Sequence, residues 1–315
     1  MPRRLILPSP ALRPLVQFYA LLDGETPRAE QHAFLPEHTA HLTFHTGNSW
    51  IRGAGGLSRP LPTATLDGLV TVPTALVSEG PVRALRAELF PWAARLLFGW
   101  TYPNPPLGLL GGAAGPGNSA AAQAIQAALA ACDDEAALGL LDGWLLGLLA
   151  ERVWTPGVGV RAAVRLYHAL CPSGTDLSGG GPTGNGAVGN GAIRSGVTGS
   201  AVGGRPQRMA ELAEELGVSS RTLERQFVQE VGIGAKTLSR LIRFETTYNT
   251  LSHAPQTPLA SLAYEMGFAD QAHLTREFRT LGGLTPGHFA RLAEGRGEAH
   301  GFIMDNPRLL PALPE

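Results

Sequence analysis

The chain has 315 residues, 44% hydrophobic and 16% charged, with a formal net charge of −1. This length exceeds one typical domain and the composition is globular, so two domains are expected and a fibrous or wholly disordered chain is excluded. The near-neutral balance names no nucleic-acid or membrane partner by charge alone.

The opening residues, MPRRLILPSP, lack a long apolar run, so no signal peptide is expected and the protein is read as cytoplasmic. Residues 1–110 are punctuated by proline and glycine. Between these turns Ala33-Phe34-Leu35, His41-Leu42-Thr43-Phe44-His45, Ala75-Leu76-Val77 and Ala94-Arg95-Leu96-Leu97-Phe98 read as strands. Residues 82–90 are ambiguous, with an alternation that leans to strand. A small β-barrel or sandwich is the expected shape. His41 and His45 share one strand face, with His32 and His38 upstream, but no close histidine pair followed by an acid and a third histidine is present. They are read as structural, and no metal is expected. Trp50, Trp92 and Trp100 read first as core and second as the lining of a ligand cavity.

Residues 117–171 turn helical. Residues 120–131 are alanine-rich, and Asp133 or Asp134 can cap the helix that follows. That helix carries Leu138, Leu141, Trp144, Leu145, Leu148 and Leu149, an apolar surface wide enough to pack on its own domain or on a second copy of the chain. It is too short and too broken by glycine to span a bilayer. Val158–Leu170 reads as a third helix, with Arg161 and Arg165 on its polar side. The two cysteines, Cys132 and Cys171, have no metal or redox spacing and read as reduced structural thiols in helices. Residues 173–205 carry glycine at about every third position without hydrophobic periodicity. They read as a flexible, disordered linker spanning roughly 30 Å, the first place a protease would cut.

Beyond the linker one pattern is written twice. Leu212-Ala213-Glu214-Glu215-Leu216-Gly217-Val218-Ser219, then Leu223, Arg225 and Phe227, is matched by Leu262-Ala263-Tyr264-Glu265-Met266-Gly267-Phe268, then Leu274, Arg276 and Phe278. Each copy has apolar residues at i, i+3, i+4 and i+7, a glycine where the helix must turn, and an N-cap, Ser219 or Asp270, before a second helix. Thr257-Pro258 and Thr285-Pro286 read as caps followed by proline at the first helical position. This is a helix-turn-helix signature, whose second helix enters the major groove of DNA. Two of them can address successive grooves. Arg221, Glu224 and Arg225 face away from the core in the first, and Gln271, Ala272, His273, Thr275 and Arg276 in the second.

The segments LAEELGVSSRTLERQF, GIGAKTLSRLIRF and LASLAYEMGFADQAHLTREFRTLGGLTPGHF closely resemble the C-terminal DNA-binding domain of AraC/XylS-type transcription regulators. The resemblance covers nearly all of residues 206–292. It implies two helix-turn-helix units joined by a long helix near residues 236–252, with DNA-facing positions at Ser220, Arg221, Glu224, Arg225, Gln271, Ala272, His273, Thr275 and Arg276. The family usually has proline where this chain has Ala235, so Gly234-Ala235 is a weaker helix start. The layout of the first 110 residues resembles an N-terminal domain of some AraC-type regulators, which implies a sensing or dimerising module.

The expected fold is α+β: an N-terminal β-rich, barrel-like domain with helices (residues 1–172), a Gly-rich linker (173–205), an all-α double helix-turn-helix domain (206–292) and a tail (293–315). The function read from these residues is sequence-specific binding of double-stranded DNA by a transcription regulator. RNA polymerase, a small-molecule effector and a second copy of the chain are further candidate partners. The alternatives are a protein-interaction module with a degenerate helix-turn-helix domain, supported by roughly balanced charge in 206–292, and an enzyme with an accessory DNA-binding domain. Residues 1–171 contain no nucleophile elbow, paired-histidine metal motif or dinucleotide fingerprint, so neither catalysis nor a cofactor is expected.

Overall fold

Short apolar runs separated by proline and glycine need partners to satisfy their backbone polar groups, and the computed structural model of the chain shows how they pair. It describes residues 3–52, 58–69, 74–100, 107–110, 120–170 and 209–294. The expected linker, Cys171, the side chain of Trp50 and the tail beyond Glu294 lie outside the described residues.

Among the described residues seven strands pair antiparallel: β1 (Arg3–Ile6), β2 (Val16–Phe34), β3 (Ala40–Arg52), β4 (Ser58–Pro60), β5 (Ala64–Asp67), β6 (Thr74–Leu89) and β7 (Leu107–Gly108). Their order is β1-β2-β6-β3-β5-β7, with β4 added to β3. Among the described residues the barrel-like expectation thus becomes one open path with two ends. The runs at Ala33, His41 and Ala75 fall in β2, β3 and β6, and the ambiguous stretch up to Leu89 belongs to β6. A bulge lies between Thr46 and Asn48, where Gly47 takes φ 92°. Only glycine fits there, because a Cβ would sit 2.3 Å from the Pro81 carbonyl oxygen.

The fourth expected strand, at Ala94, is a helix instead. Pro91 opens α1 (Pro91–Phe98) at its first turn, and Gly99 closes it at φ 66°, its N–H bonded back to the carbonyls of Ala94 and Arg95. The Trp92 indole donates to the Pro14 carbonyl at 2.9 Å. Trp92 is buried among aromatic rings, and Trp100 is buried against Gly68, so both tryptophans are core.

The alanine-rich helix α2 (Ala120–Ala130) ends in a turn that places Cys132 at φ 61°. Cys132 is therefore an exposed turn residue rather than a helical one. Asp133 caps α3 (Asp134–Ala150), accepting from the Ala136 N–H at 3.0 Å. Asp142 accepts from the backbone N–H of Ser9 at 3.0 Å and from the Tyr19 hydroxyl at 2.8 Å, which fixes α3 to the sheet. Ala137, Leu141 and Leu145 face the core, while Leu140 stays 40% exposed beside Gly139, Gly143 and Gly147.

The third helix, α4 (Val158–Leu170), belongs to two cores at once. On one side Tyr167 packs edge-on against Phe90 and Trp92, at 5.4 and 5.9 Å between ring centres. On the other it lies on the C-terminal helices. These are α5 (Met209–Glu215), α6 (Ser220–Val231), α7 (Ala235–His253), α8 (Leu259–Glu265), α9 (Gln271–Gly282) and α10 (Pro286–Glu294). Glu230 of α6 accepts from the Val160 N–H at 3.0 Å, and Arg165 pairs with Glu215. At Gly159 a Cβ would come within 2.6 Å of the Gln226 carbonyl oxygen and 2.8 Å of Phe227 Cα, so α4 and α6 touch backbone to backbone. Replacing Gly159 with valine should cost about 1–3 kcal/mol through overpacking against a rigid helix. Urea unfolding of the full chain checks this; a midpoint equal to wild type would place α4 elsewhere.

Candidate nucleic-acid interface

The two repeats fold alike because their local instructions are alike. In the first, Leu216, Gly217 and Val218 donate to the carbonyls of Leu212, Glu214 and Ala213 at 3.0, 3.1 and 2.9 Å. In the second, Met266, Gly267 and Phe268 donate to Leu262, Tyr264 and Ala263 at 3.0, 3.0 and 2.9 Å. Gly217 and Gly267 both take φ 68°, the left-handed turn expected of them. Ser219 then caps α6 through the Thr222 N–H at 3.2 Å, and Asp270 caps α9 through the His273 N–H at 2.6 Å. The additional residue of the second copy is Ala269, taken up in the turn before the cap. Thr285 caps α10 ahead of Pro286 as expected. At the other pair Pro258 itself occupies the cap position, and the Thr257 hydroxyl turns back to the Ala254 carbonyl at 2.7 Å.

Leu223 and Phe227 of α6, and Leu274 and Phe278 of α9, are buried. Consequently Ser220, Arg221, Glu224 and Arg225 lie exposed on α6, and Gln271, Ala272 and Arg276 lie exposed on α9. Arg221, Thr222, Glu224 and Arg225 line one open hollow. Two of the expected readers are half-buried and locally engaged. The Thr275 hydroxyl donates to the Gln271 carbonyl at 2.9 Å, and His273 Nδ1 accepts from the Ala269 N–H at 3.3 Å. The structure thus separates six exposed candidates with polar side chains, Ser220, Arg221, Glu224, Arg225, Gln271 and Arg276, from these two.

The connecting helix α7 starts at Ala235 without a side-chain cap, because Gly234 stands at the N-cap, and tertiary contacts help to place it. Phe244, Tyr248, Phe278 and Phe289 form one aromatic cluster, with neighbouring centres 4.8–6.4 Å apart. Arg240 pairs with Glu277 of α9 at 2.5 Å. Thr246 and Thr247 spend their hydroxyls on the carbonyls one turn back, Ile242 and Arg243, which lets polar residues sit in a buried helix.

A second cluster was not visible in the sequence. His41 faces Glu88 across the β3–β6 ladder. His41 Nε2 lies 2.7 Å from Glu37 and 3.0 Å from Glu88, and Arg86 reaches Glu37 at 2.9 Å and Glu88 at 2.8 Å. All four are buried. Burial and the Arg86 guanidinium oppose charge on His41, but the carboxylates of Glu88 and Glu37 outweigh them and push it up to about 9. Glu37, His41 and Glu88 offer three ligand atoms within 4.8 Å of one another, a set that could hold a divalent cation. Arg86 and the protonated His41 already supply the positive charge such an ion would bring. The neighbouring His38 carries this cluster onward: its Nδ1 donates to Glu245 of α7 at 2.5 Å, and its backbone N–H reaches the same oxygen at 3.3 Å. His45 behaves differently, since burial holds it below the ordinary histidine range.

Two helix-turn-helix units, each presenting its second helix outward, define a DNA-binding architecture. Residues 212–292 match the protein family described as "Helix-turn-helix domain", and residues 4–103 match the "Domain of unknown function (DUF6597)". The chain is 35% identical over 91 residues to the HTH-type transcriptional regulator RipA of Corynebacterium glutamicum, covering 29% of this chain and 27% of that protein. It is 33% identical over 87 residues to the HTH-type transcriptional regulator GlxA of Rhizobium meliloti, covering 28% and 26%. The chain therefore matches about a quarter of the length of these curated relatives. Among solved structures it is similar to ToxT from Vibrio cholerae, with a TM-score of 0.45 and 11% identity over 87% of this chain and 98% of that one. A regulator with an AraC-type DNA-binding domain from Chromobacterium violaceum gives a TM-score of 0.26 and 23% identity over 29% of this chain and 81% of that one. Residues 212–292, about a quarter of the chain, thus carry a domain of the helix-turn-helix family, with two such units in it. No described helix is long and apolar enough to cross a membrane.

Because the folded pKa of His41 is raised above its ordinary 6.5, its contribution to stability is complete below pH 6.5 and fades as pH rises through about 9. Wild type should lose stability between these values, and His41→Gln should lose much less over the same interval. Urea midpoints measured from pH 6 to 10 test this; parallel curves for the two proteins would remove His41 as the titrating group.

Proposed function

We propose that the chain is a cytoplasmic, sequence-specific DNA-binding transcription regulator that acts by binding rather than by catalysis. Residues 206–292 form the DNA-binding domain, and residues 1–172 form the regulatory half. In this reading α6 and α9 enter successive major-groove segments of one duplex face, and RNA polymerase is the regulator's downstream partner. The observation that carries it is the repetition of one hydrogen-bonded turn, which aims Arg221 and Arg225, and then Gln271 and Arg276, away from two equivalent cores. Arginine pairs with guanine O6 and N7, and glutamine with adenine, so these side chains suit base edges. Ser220, Ala272, His273 and Thr275 take the lesser places at the helix starts and flanks, touching phosphate or a thymine methyl. The near-neutral domain binds through placed arginines and helix N-termini rather than net charge.

The exposed line of Gly139, Leu140, Gly143 and Gly147 on α3 supports a second proposal, that two copies associate through this helix. Sedimentation of the full chain should give a dimer that Leu140→Asp weakens.

Arg225→Ala should cost about 1–3 kcal/mol at the preferred site and relax selectivity at one base; a phosphate contact would instead weaken all sequences alike and lower the salt slope by about one. Arg276→Ala should do the same under the other helix. Titrations at several salt concentrations, on a site selected from a random DNA pool and on its single-base variants, separate these. Unchanged affinity on every sequence in both variants would remove the DNA-reading assignment.

A further inference from the structure

The two reading helices are held in different ways. The first turn is braced by α4, through Gly159 against α6 and Arg165 against Glu215. The second turn is braced from α7 by one side chain, Arg243. Its Nη1 donates to the carbonyl of Gly267, the left-handed turn residue, at 3.3 Å. Its Nε turns back to the Ser239 carbonyl at 3.3 Å, which fixes the direction of the guanidinium along the helix. The same guanidinium lies over the Phe268 ring, 5.1 Å from its centre. Phe268 in turn stands edge-on to His273 at 5.4 Å and 84°, and the next backbone N–H, that of Ala269, donates to His273 Nδ1 at 3.3 Å. His273 sits in the first turn of α9, two residues after Gln271 and three before Arg276.

Resting on the reading of α6 and α9 as DNA-reading helices, we infer that Arg243 is a positioning residue for the second of them. It reaches no base itself. It holds the Gly267-Phe268 turn and, through Phe268 and His273, sets where the start of α9 points. Arg240 fixes the same helix farther along, through Glu277. The two arginines lie three residues apart on one face of α7, so the connecting helix grips α9 at its start and in its middle. Removing Arg243 frees the start of the helix while the middle stays held, and the base-facing side chains swing. Discrimination suffers under α9, because the partners along this path, Gly267, Phe268, Ala269 and His273, all belong to the second unit.

The test uses the full-length chain and a DNA site selected by it from a random pool. Arg276→Ala identifies which bases lie under α9. Wild type, Arg243→Met and Arg243→Lys are then titrated on that site and on all its single-base variants at fixed salt. Methionine keeps the buried stem without the donors, and lysine keeps a charge near Phe268 without the planar fork. In Arg243→Met, discrimination among bases under α9 should fall about tenfold, on the scale of one well-placed base contact. Discrimination under α6 should stay at the wild-type value, and Arg243→Lys should fall between. The imidazole NMR signals of His273, identified by their absence in His273→Gln, should shift in Arg243→Met. Discrimination unchanged under both helices, equal loss under both, or an unmoved His273 signal would each overturn the inference. A wild-type chain that discriminates no base at any position would sink the DNA reading itself, a result independent of the Arg243 variants.

Discussion

The hydrogen bond between His38 and Glu245 is where the two halves of the molecule depend on each other. A carboxylate in the middle of a buried helix is costly unless donors meet it, and His38 of the sheet domain brings it two. His38 can supply them because its neighbours are fixed on either side. Glu37 is held by Arg86 and His41, and Thr39 donates to Glu88 at 2.9 Å. The segment that touches α7 is thus an extension of a buried charge cluster in the sheet. Three consecutive residues, Glu37, His38 and Thr39, link that cluster to α7.

From Glu245 the dependence spreads along α7. The helix receives the sheet domain at Glu245, shares an aromatic core with α9 and α10 through Phe244 and Tyr248, and grips α9 with Arg240. The close approach of Phe244 explains Gly282, where a Cβ would stand 3.0 Å from the ring. The missing proline at Ala235 matters less than sequence alone suggests, since contacts along the whole helix do the work of a strong cap.

What was legible in the sequence was what neighbours in sequence decide. Gly217, Gly267, Ser219 and Asp270 act within one turn of themselves, and they fold as expected. The outward placement of Arg225 and Arg276 followed from helical rotation relative to Phe227 and Phe278. The run at Ala94 was misread because a short apolar stretch fits strand or helix, and the deciding signal, Pro91 before it and Gly99 after it, is punctuation rather than periodicity. Thr257 and Pro258 slipped by one position for a similar reason, since either residue can stand at a helix start. The Glu37–His41–Glu88–Arg86 cluster was out of reach, because it depends on the register of β3 against β6. The half-burial of His273 and Thr275 was within reach: two residues apart and rotated by about 200°, they flank the buried Leu274 on either side.

Gly159 gives the chain a mechanical order different from its written order. The sequence places α4 before the Gly-rich stretch, with the first domain, yet its backbone lies directly on α6. What joins the halves is therefore a surface: Gly159 against Phe227, Val160 and Arg165 on Glu230 and Glu215, and His38 on Glu245. Each of these contacts is made by residues on either side of the interval between Leu170 and Met209, and covalent continuity across it adds local concentration to them. The two halves thus carry matching surfaces of their own, as the fragments of a split protein do.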